Sequence, residues 1–474
     1  MHGTFSILGE AVPKADWELN RITEVMPQIK IYELSEADKR GFSKTVKVFI
    51  CYELQPTAHP DELVSSIVEG VRNATRQLPF MAGTLEFQKT GKLCILVSPE
   101  NQTEVKIRRF SSTEHKSFSI LSKNSFVPDD LDFTQLLPEE EAGKNSVCAL
   151  QLSLIEAGLI MGFRMNHATG DWASINTFLS LICQSTKAHR AGLDGTVYVP
   201  DLNRDPYNTL APDPCLSRED LLENLSMFYV MNKSDLKRPP PPPSLKSNIY
   251  RINERTMQRL KARCAPFLGD LGYVTSYDCI AALAWRSITR ARLGINPEGS
   301  ITPSRFVHPI DVLTRDPDHR TTKNYFGNAV IGCQAGPVIA QELVVDGDEK
   351  FAAAATLIRK SISTVGLSTV GHMTSLIGSL SPTETLGSLA DFFGMDLLMN
   401  TWYSGTAENY DIGAGSVPVA ARLDPSMAGA CVIILPNFSW GGERTFEAFV
   451  QLPSEEHELL EKDAEFSKYF EPIV

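Results

Sequence analysis

The amino-acid sequence predicts an α/β protein built as two comparable halves. Three observations carry this. Strand-like and helix-like patterns alternate along the whole chain, and a Pro-rich interruption falls near its middle. With 474 residues, 43% hydrophobic and 22% charged, the chain is also long enough to bury two cores of ordinary size.

Lys44 to Leu54 (KTVKVFICYEL) reads as a strand, and Asp61 to Leu78 as a helix with Leu63, Ile67 and Val71 at four-residue spacing. Ser146 to Glu156 alternates apolar and polar over its middle. Gly158 to Asn166 follows as a second apolar run, which predicts a β-hairpin turning near Ala157-Gly158. From Ile175 the period changes, and Ile175, Phe178, Leu179 and Ile182 fall on one helical face. These elements make up an N-terminal half, residues 1–191. Residues 192–247 read as a crossover, with a short helical stretch around Leu221 to Met231 and a stiff spacer of five prolines, Pro239 to Pro243. The C-terminal half, 248–474, opens with a strand (Asn248 to Ile252) and a helix (ERTMQRLKARC). A second helix is predicted from about Tyr277 to Arg292, with Ser276 as N-cap and Ile280, Leu283 and Ile288 facing inward.

A formal charge of -12 argues against a general affinity for nucleic acid, so any polyanionic ligand must meet a local basic patch. No apolar run approaches a membrane span, and the N-terminus lacks the pattern of a signal peptide. The C-terminal FEPIV is neither a peroxisomal nor a lipidation signal. Nine cysteines stand singly with no C-x-x-C pair, which fits reduced thiols. A cytoplasmic monomer without nucleic-acid or membrane partners is expected.

The stretch GFRMNHATGDWASINTFLSLI, Gly162 to Ile182, sets His167 and Asp171 four residues apart where a strand gives way to a helix. The spacing alone is weak. A metal pair lacks further His, Cys or Glu ligands nearby, and a buried structural histidine with a satisfying carboxylate is as compatible with these residues as a catalytic one. Context favours chemistry. Met161, Phe163, Met165 and His167 share parity, so an imidazole ends an apolar face where a crevice usually opens, and its ordinary pKa suits a general base. Asp171 falls at the start of the helix, where the helix dipole favours a carboxylate. It could orient His167 directly or brace the loop through a distant Arg.

Further segments accompany this motif in order: LSEAD (Leu34 to Asp38), LPFMAG (Leu78 to Gly83), TSYDCIAALAWRSITRAR (Thr275 to Arg292), NYFGNAV (Asn324 to Val330) and NTWYSGTAENYDIGAG (Asn400 to Gly415). Together they resemble the BAHD acyltransferases, coenzyme-A-dependent enzymes of plant and fungal specialised metabolism. The resemblance covers most of the chain and is nearer to fungal members of the trichothecene-acetylating kind. It implies a two-domain fold of the chloramphenicol-acetyltransferase type, with mixed sheets and a tunnel between the domains that holds His167 midway. It implies acyl transfer from acyl coenzyme A, with acetyl coenzyme A the expected donor, to a hydroxyl of a small secondary metabolite, without a covalent enzyme intermediate, a metal or a permanently bound cofactor.

By the same resemblance Asn400, Thr401 and Trp402 stand near the oxyanion, although Trp402 also reads as plain core. Asp411, Gly413 and Gly415 shape the donor channel as structural residues. Arg315 is the expected partner of Asp171. Lys246, Ser276 and Lys323 are candidates for holding coenzyme A, with Arg315 and Arg320 as further cations near its phosphates. The sequence departs from the family pattern at Trp172, where Gly is usual, at Ile412 and Ala414 in place of Phe and Trp, and at Leu313 in place of an Arg. Two other readings stand beside this one. A condensation-type enzyme fed by a carrier protein, or an amine acceptor, shares the motif, though Asn166 occupies the place of the usual first histidine. A non-catalytic binding relative would be expected to have lost the base, which His167 retains.

Overall fold

The computed structural model describes residues 21–23, 29–98, 101–139, 144–204, 216–237, 241–315, 324–413, 415–438 and 444–473. Two mixed sheets organise them. The first has the spatial order Arg21–Thr23, Gln102–Arg109, Cys148–Ile155, Gly158–Asn166, Thr45–Leu54 and Ser416–Leu423. The second runs Val330–Ile339, Pro303–Asp311, Leu397–Thr401, Cys431–Ile434, Thr445–Pro453, Leu245–Asn253 and Glu471–Pro472.

The expected hairpin is present: Cys148–Ile155 pairs antiparallel with Gly158–Asn166, and Ala157 takes a positive φ of 59° in the turn. Its polar positions do not face water as the alternation suggested. Gln151 and Ser153 are buried, because the loop around Leu131 to Leu137 covers that side. Gln151 Nε2 is satisfied there by the Gln135 carbonyl at 2.6 Å and Ser153 Oγ at 2.9 Å.

The helix predicted at 61–78 spans Pro60–Gln77, with proline at its first turn, and packs on Trp172–Ala191. The long C-terminal helix is Ser276–Ile295, and its N-cap is Thr275 rather than Ser276. Thr275 and Asp278 form a capping box, so the first hydroxyl of Thr-Ser wins because the acid stands three residues after it. The stretch Leu221 to Met231 is not one helix. The helix stops at Asn224, and Phe228–Asn232 (FYVMN) pairs as a strand with Glu384–Ser388, in keeping with its aromatic and β-branched residues. Of the five prolines, Pro239 and Pro240 lie outside the described residues, and Pro241 to Pro243 carry no regular structure.

The halves are not cut cleanly at the crossover. Ser416–Leu423, from the C-terminal half, pairs with Thr45–Leu54 as a strand of the first sheet. Phe326, Trp402, Tyr410 and Ile412 join the N-terminal core. No helix among the described residues is long and apolar enough to cross a membrane.

Candidate active site

The strand Gly158–Asn166 ends one residue before His167, and its buried apolar run anchors the imidazole from below. The His167 amide donates to the Lys44 carbonyl at 2.8 Å. Gly41 backs onto the same peptide so closely that a Cβ there would lie 2.5 Å from the His167 carbonyl carbon, which leaves room only for glycine.

The ring is oriented by a residue to which sequence reasoning gave no role. His167 Nδ1 lies 3.1 Å from Asn328 Oδ1. The two hydrogens of Asn328 Nδ2 are committed to the His167 carbonyl and to Asp38 Oδ1, each at 2.9 Å. Neither acceptor can donate, so the Asn328 oxygen must face the imidazole and Nδ1 must carry the proton. Nε2 is left as the basic nitrogen.

Asp38 holds this arrangement in place. Fully buried, it accepts from the Asn328 amide at 2.8 Å, from the Ser35 amide and hydroxyl at 3.0 and 2.8 Å, and from Arg204 Nε at 3.2 Å. Arg204 reaches it from the crossover, which runs beside the Asn324–Asn328 segment through hydrogen bonds of Asp201 with Asn324 and Phe326. Two segments quoted only for their resemblance, LSEAD and NYFGN, are thus the orienting machinery of the base. The available signal was chemical: each contains a side chain able to bond several partners at once, Asp38 and Asn328.

Asp171 is the N-cap of Trp172–Ala191. Its Oδ1 accepts from the amides of Ala173 and Ser174 at 3.0 and 3.3 Å, and its Oδ2 from the Ala329 amide at 2.9 Å. Its own amide donates to the Gly327 carbonyl, and Ser174 Oγ also bonds Gly327. Asp171 therefore braces both neighbours of Asn328 and acts on His167 through that loop, as a positioning residue. The expected partnership with Arg315 is not formed. Arg315 donates to the Val365 carbonyl at 2.9 Å, and backbone amides take the place assigned to its guanidinium. Asp171→Ala removes a helix cap and leaves the Ala329 amide without its acceptor, so a loss of about 2 kcal/mol in stability is expected by denaturant titration, with slowed turnover.

Burial lowers the His167 pKa from its ordinary value, so the ring is neutral and competent as a base at neutral pH. Burial pushes the Asp171 carboxyl up to about 6, against the amides that favour its anion. Both groups are in the required state above that range. The kcat/KM profile is expected to stay flat from pH 8 to about 7 and to fall on further acidification, with a midpoint near pH 6, as the groups take up protons. A midpoint at or above pH 7 contradicts this.

Trp172, which departs from the family pattern, stacks on Trp402 with ring centroids 4.5 Å apart and planes 5° from parallel. It also donates from Nε1 to Ser404 Oγ at 3.1 Å. Trp402 is buried, and its amide bonds the Ile434 carbonyl. Asn400 and Thr401 end the strand Leu397–Thr401, where Asn400 Oδ1 accepts from the Thr401 amide at 2.7 Å. Toward the end of the helix Trp172–Ala191, Lys187 Nζ donates to Asp411 at 2.6 Å, and Asp411 also accepts from the Gly413 amide at 2.8 Å. Partial burial opposes it, yet these two donors keep that carboxyl below its ordinary value. Gly413 and Gly415 have φ of 95° and 81°. Lys187 stands sixteen positions along the helix from Asp171, about 24 Å, so this segment is a brace remote from the base.

Lys246 pairs with Glu461 at 3.0 Å, and Ser276 begins its helix beside the Arg359–Asp278 ion pair. Among the described residues, no hydrogen bond or ion pair joins either to the His167 cluster. Arg320, Lys323 and Ala414 lie outside the described residues. A cavity of about 280 Å³ opens between Asn328–Ile331 and the helix Leu367–Gly378, with Asn328 in its wall, one side chain from the imidazole.

A family model described as the Transferase family matches residues 24–467. The chain belongs to that family. It is the BAHD family that the sequence motifs resemble, and the protein is accordingly an acyltransferase. The Cordyceps militaris acyltransferase cm3D is 24% identical over 93% of this chain and 96% of its own. Tryptamine benzoyltransferase 2 of Oryza sativa subsp. japonica is 23% identical over 90% and 91%. The crystal structure of F. graminearum TRI101 in complex with coenzyme A and T-2 mycotoxin superposes with a TM-score of 0.77 at 16% identity, covering 94% of this chain and all of that one. That likeness establishes the two-domain mixed α/β fold expected from the sequence.

Proposed function

We propose that this BAHD acyltransferase is an acyl-coenzyme-A-dependent O-acyltransferase that transfers an acetyl group to a hydroxyl of a small molecule, with His167 as general base. The observation that carries this reading is the fixed tautomer: Asn328 holds the proton on Nδ1, so Nε2 can accept one. The acceptor O–H gives its proton to Nε2 as its oxygen bonds to the thioester carbonyl carbon. The resulting tetrahedral oxyanion collapses, the C–S bond breaks, and the imidazolium returns the proton to the departing thiolate.

Asn400, Thr401 and Trp402 are assigned to the oxyanion side of this reaction. Asn400 suits it because its Oδ1 is already engaged, which leaves the Nδ2 hydrogens for a ligand. Lys246, Ser276 and Lys323 are assigned to the donor's phosphates. The coenzyme A bound in the TRI101 complex supports the choice of donor.

Purified protein incubated with acetyl coenzyme A and a panel of alcohols is expected to release free thiol in an acceptor-dependent way, with an ester product detectable by mass. Thiol release at the same rate without any alcohol would mark a hydrolase and refute the reading.

A further inference from the structure

The start of the helix Trp172–Ala191 makes contacts in two directions. Asp171, its cap, bonds the Gly327 carbonyl and the Ala329 amide, the two neighbours of the residue that orients His167. Trp172, the next residue, holds a segment from the C-terminal half. Its ring lies flat on Trp402, with 4.5 Å between centroids, and its Nε1 donates to Ser404 Oγ at 3.1 Å. One turn farther on, Asn176 Oδ1 accepts from Tyr410 Oη at 2.7 Å. The turn between these contacts is tightly enclosed. A Cβ on Gly405 would lie 3.2 Å from Trp172 Cζ2 and 2.5 Å from Tyr410 Oη, so glycine is what lets the segment sit this close.

Asn400 and Thr401, assigned to the oxyanion side, immediately precede this segment at the end of the strand Leu397–Thr401. The chain that carries them is therefore held at two points, by the Trp402 amide on the Ile434 carbonyl at 2.7 Å and by the indole on the helix start. Burial separates the stack from plain core. Trp402 is buried, whereas Trp172 and Asn400 are half-buried and Thr401 and Ser404 are exposed, so one flank of the pair borders solvent.

We propose that Trp172 is a positioning residue for acyl transfer, its indole being the spacer that fixes Asn400 relative to His167. The inference rests on the acyltransferase reading and deepens it. His167 and Trp172 stand on one short segment, Asn400 and Trp402 on another, and the stacked rings are a direct side-chain contact between the two. An oxyanion donor works by being in place before the charge develops, and a displacement of about 1 Å can slow turnover about 100-fold. Loss of the ring therefore acts on the transition state and leaves binding of the donor substrate alone.

The test follows acyl transfer from acetyl coenzyme A to an alcohol that wild type uses, with rates normalised to the folded fraction read from melting curves. Trp172→Ala is expected to lower kcat about 30- to 100-fold while KM for acetyl coenzyme A stays within about twofold. Trp172→Phe, which restores a stacking ring without Nε1, should recover at least about tenfold of that loss. The decisive readout is coupling to Asn400. In an Asn400→Ala background, Trp172→Ala should lower kcat by less than about threefold, because the group it positions is gone, whereas a merely structural role gives the same factor in both backgrounds. If Trp172→Ala does not fold, Trp172→Leu, which fills much of the space without an aromatic face, takes its place in each comparison. Wild-type kcat in the substituted protein, an equal factor in both backgrounds, or a change confined to KM overturns the inference and leaves the acyltransferase reading intact. A wild-type protein that transfers no acyl group overturns both.

Discussion

Replacing His167 with Ala is expected to lower kcat for acyl transfer by about 10²- to 10⁴-fold while leaving the fold intact. Among the described residues the imidazole bonds one side chain, Asn328, and the bond of the His167 backbone amide to Lys44 survives truncation. Stability should therefore change little compared with activity. Release of thiol from acetyl coenzyme A, read beside a melting curve, separates the two effects. A variant that transfers acyl groups as fast as wild type would show that some other group takes the proton.

The second large effect is expected at Asp38. Asp38→Ala removes the acceptor of five hydrogen-bond donors and leaves the Arg204 guanidinium, with a side chain 9% exposed, facing an empty site. Breaking a buried pair in this way costs about 3–5 kcal/mol, more than a surface pair contributes, because the remaining charge has no solvent to replace its partner. Denaturant titration should show that loss. In whatever fraction stays folded, Asn328 is released from one of its two amide acceptors and is free to turn its NH₂ toward His167. That would favour the opposite tautomer, with Nε2 protonated, so kcat should fall with KM for the donor little changed. An Asp38→Ala protein with wild-type stability and kcat would mean that the network is ornamental.

Much of this was legible in the chain. Period-two and period-3.6 patterns located the central hairpin, the helix after His167 and the long C-terminal helix, because each buries a continuous apolar face that sequence records directly. The family signature pointed to His167 and Asp171. What the sequence did not reveal were the long-range partners. Nothing local says that Asp38, Arg204 and Asn328 meet: 166 residues separate Asp38 from Arg204 and 290 separate it from Asn328. Arg315 was expected beside Asp171 because the family resemblance pairs that carboxylate with an arginine. Backbone amides at a helix start do the same task, and they leave no mark in residue identity. The stack of Trp172 on Trp402 was hidden for a similar reason, since it joins an N-terminal helix to a C-terminal strand.

The strand Ser416–Leu423 has a mechanical consequence. Because it is hydrogen-bonded along Thr45–Leu54, the C-terminal half is stitched into the N-terminal sheet. A clam-shell opening of the halves would have to unzip that ladder. Entry of substrates is therefore expected to proceed without a swing of the halves.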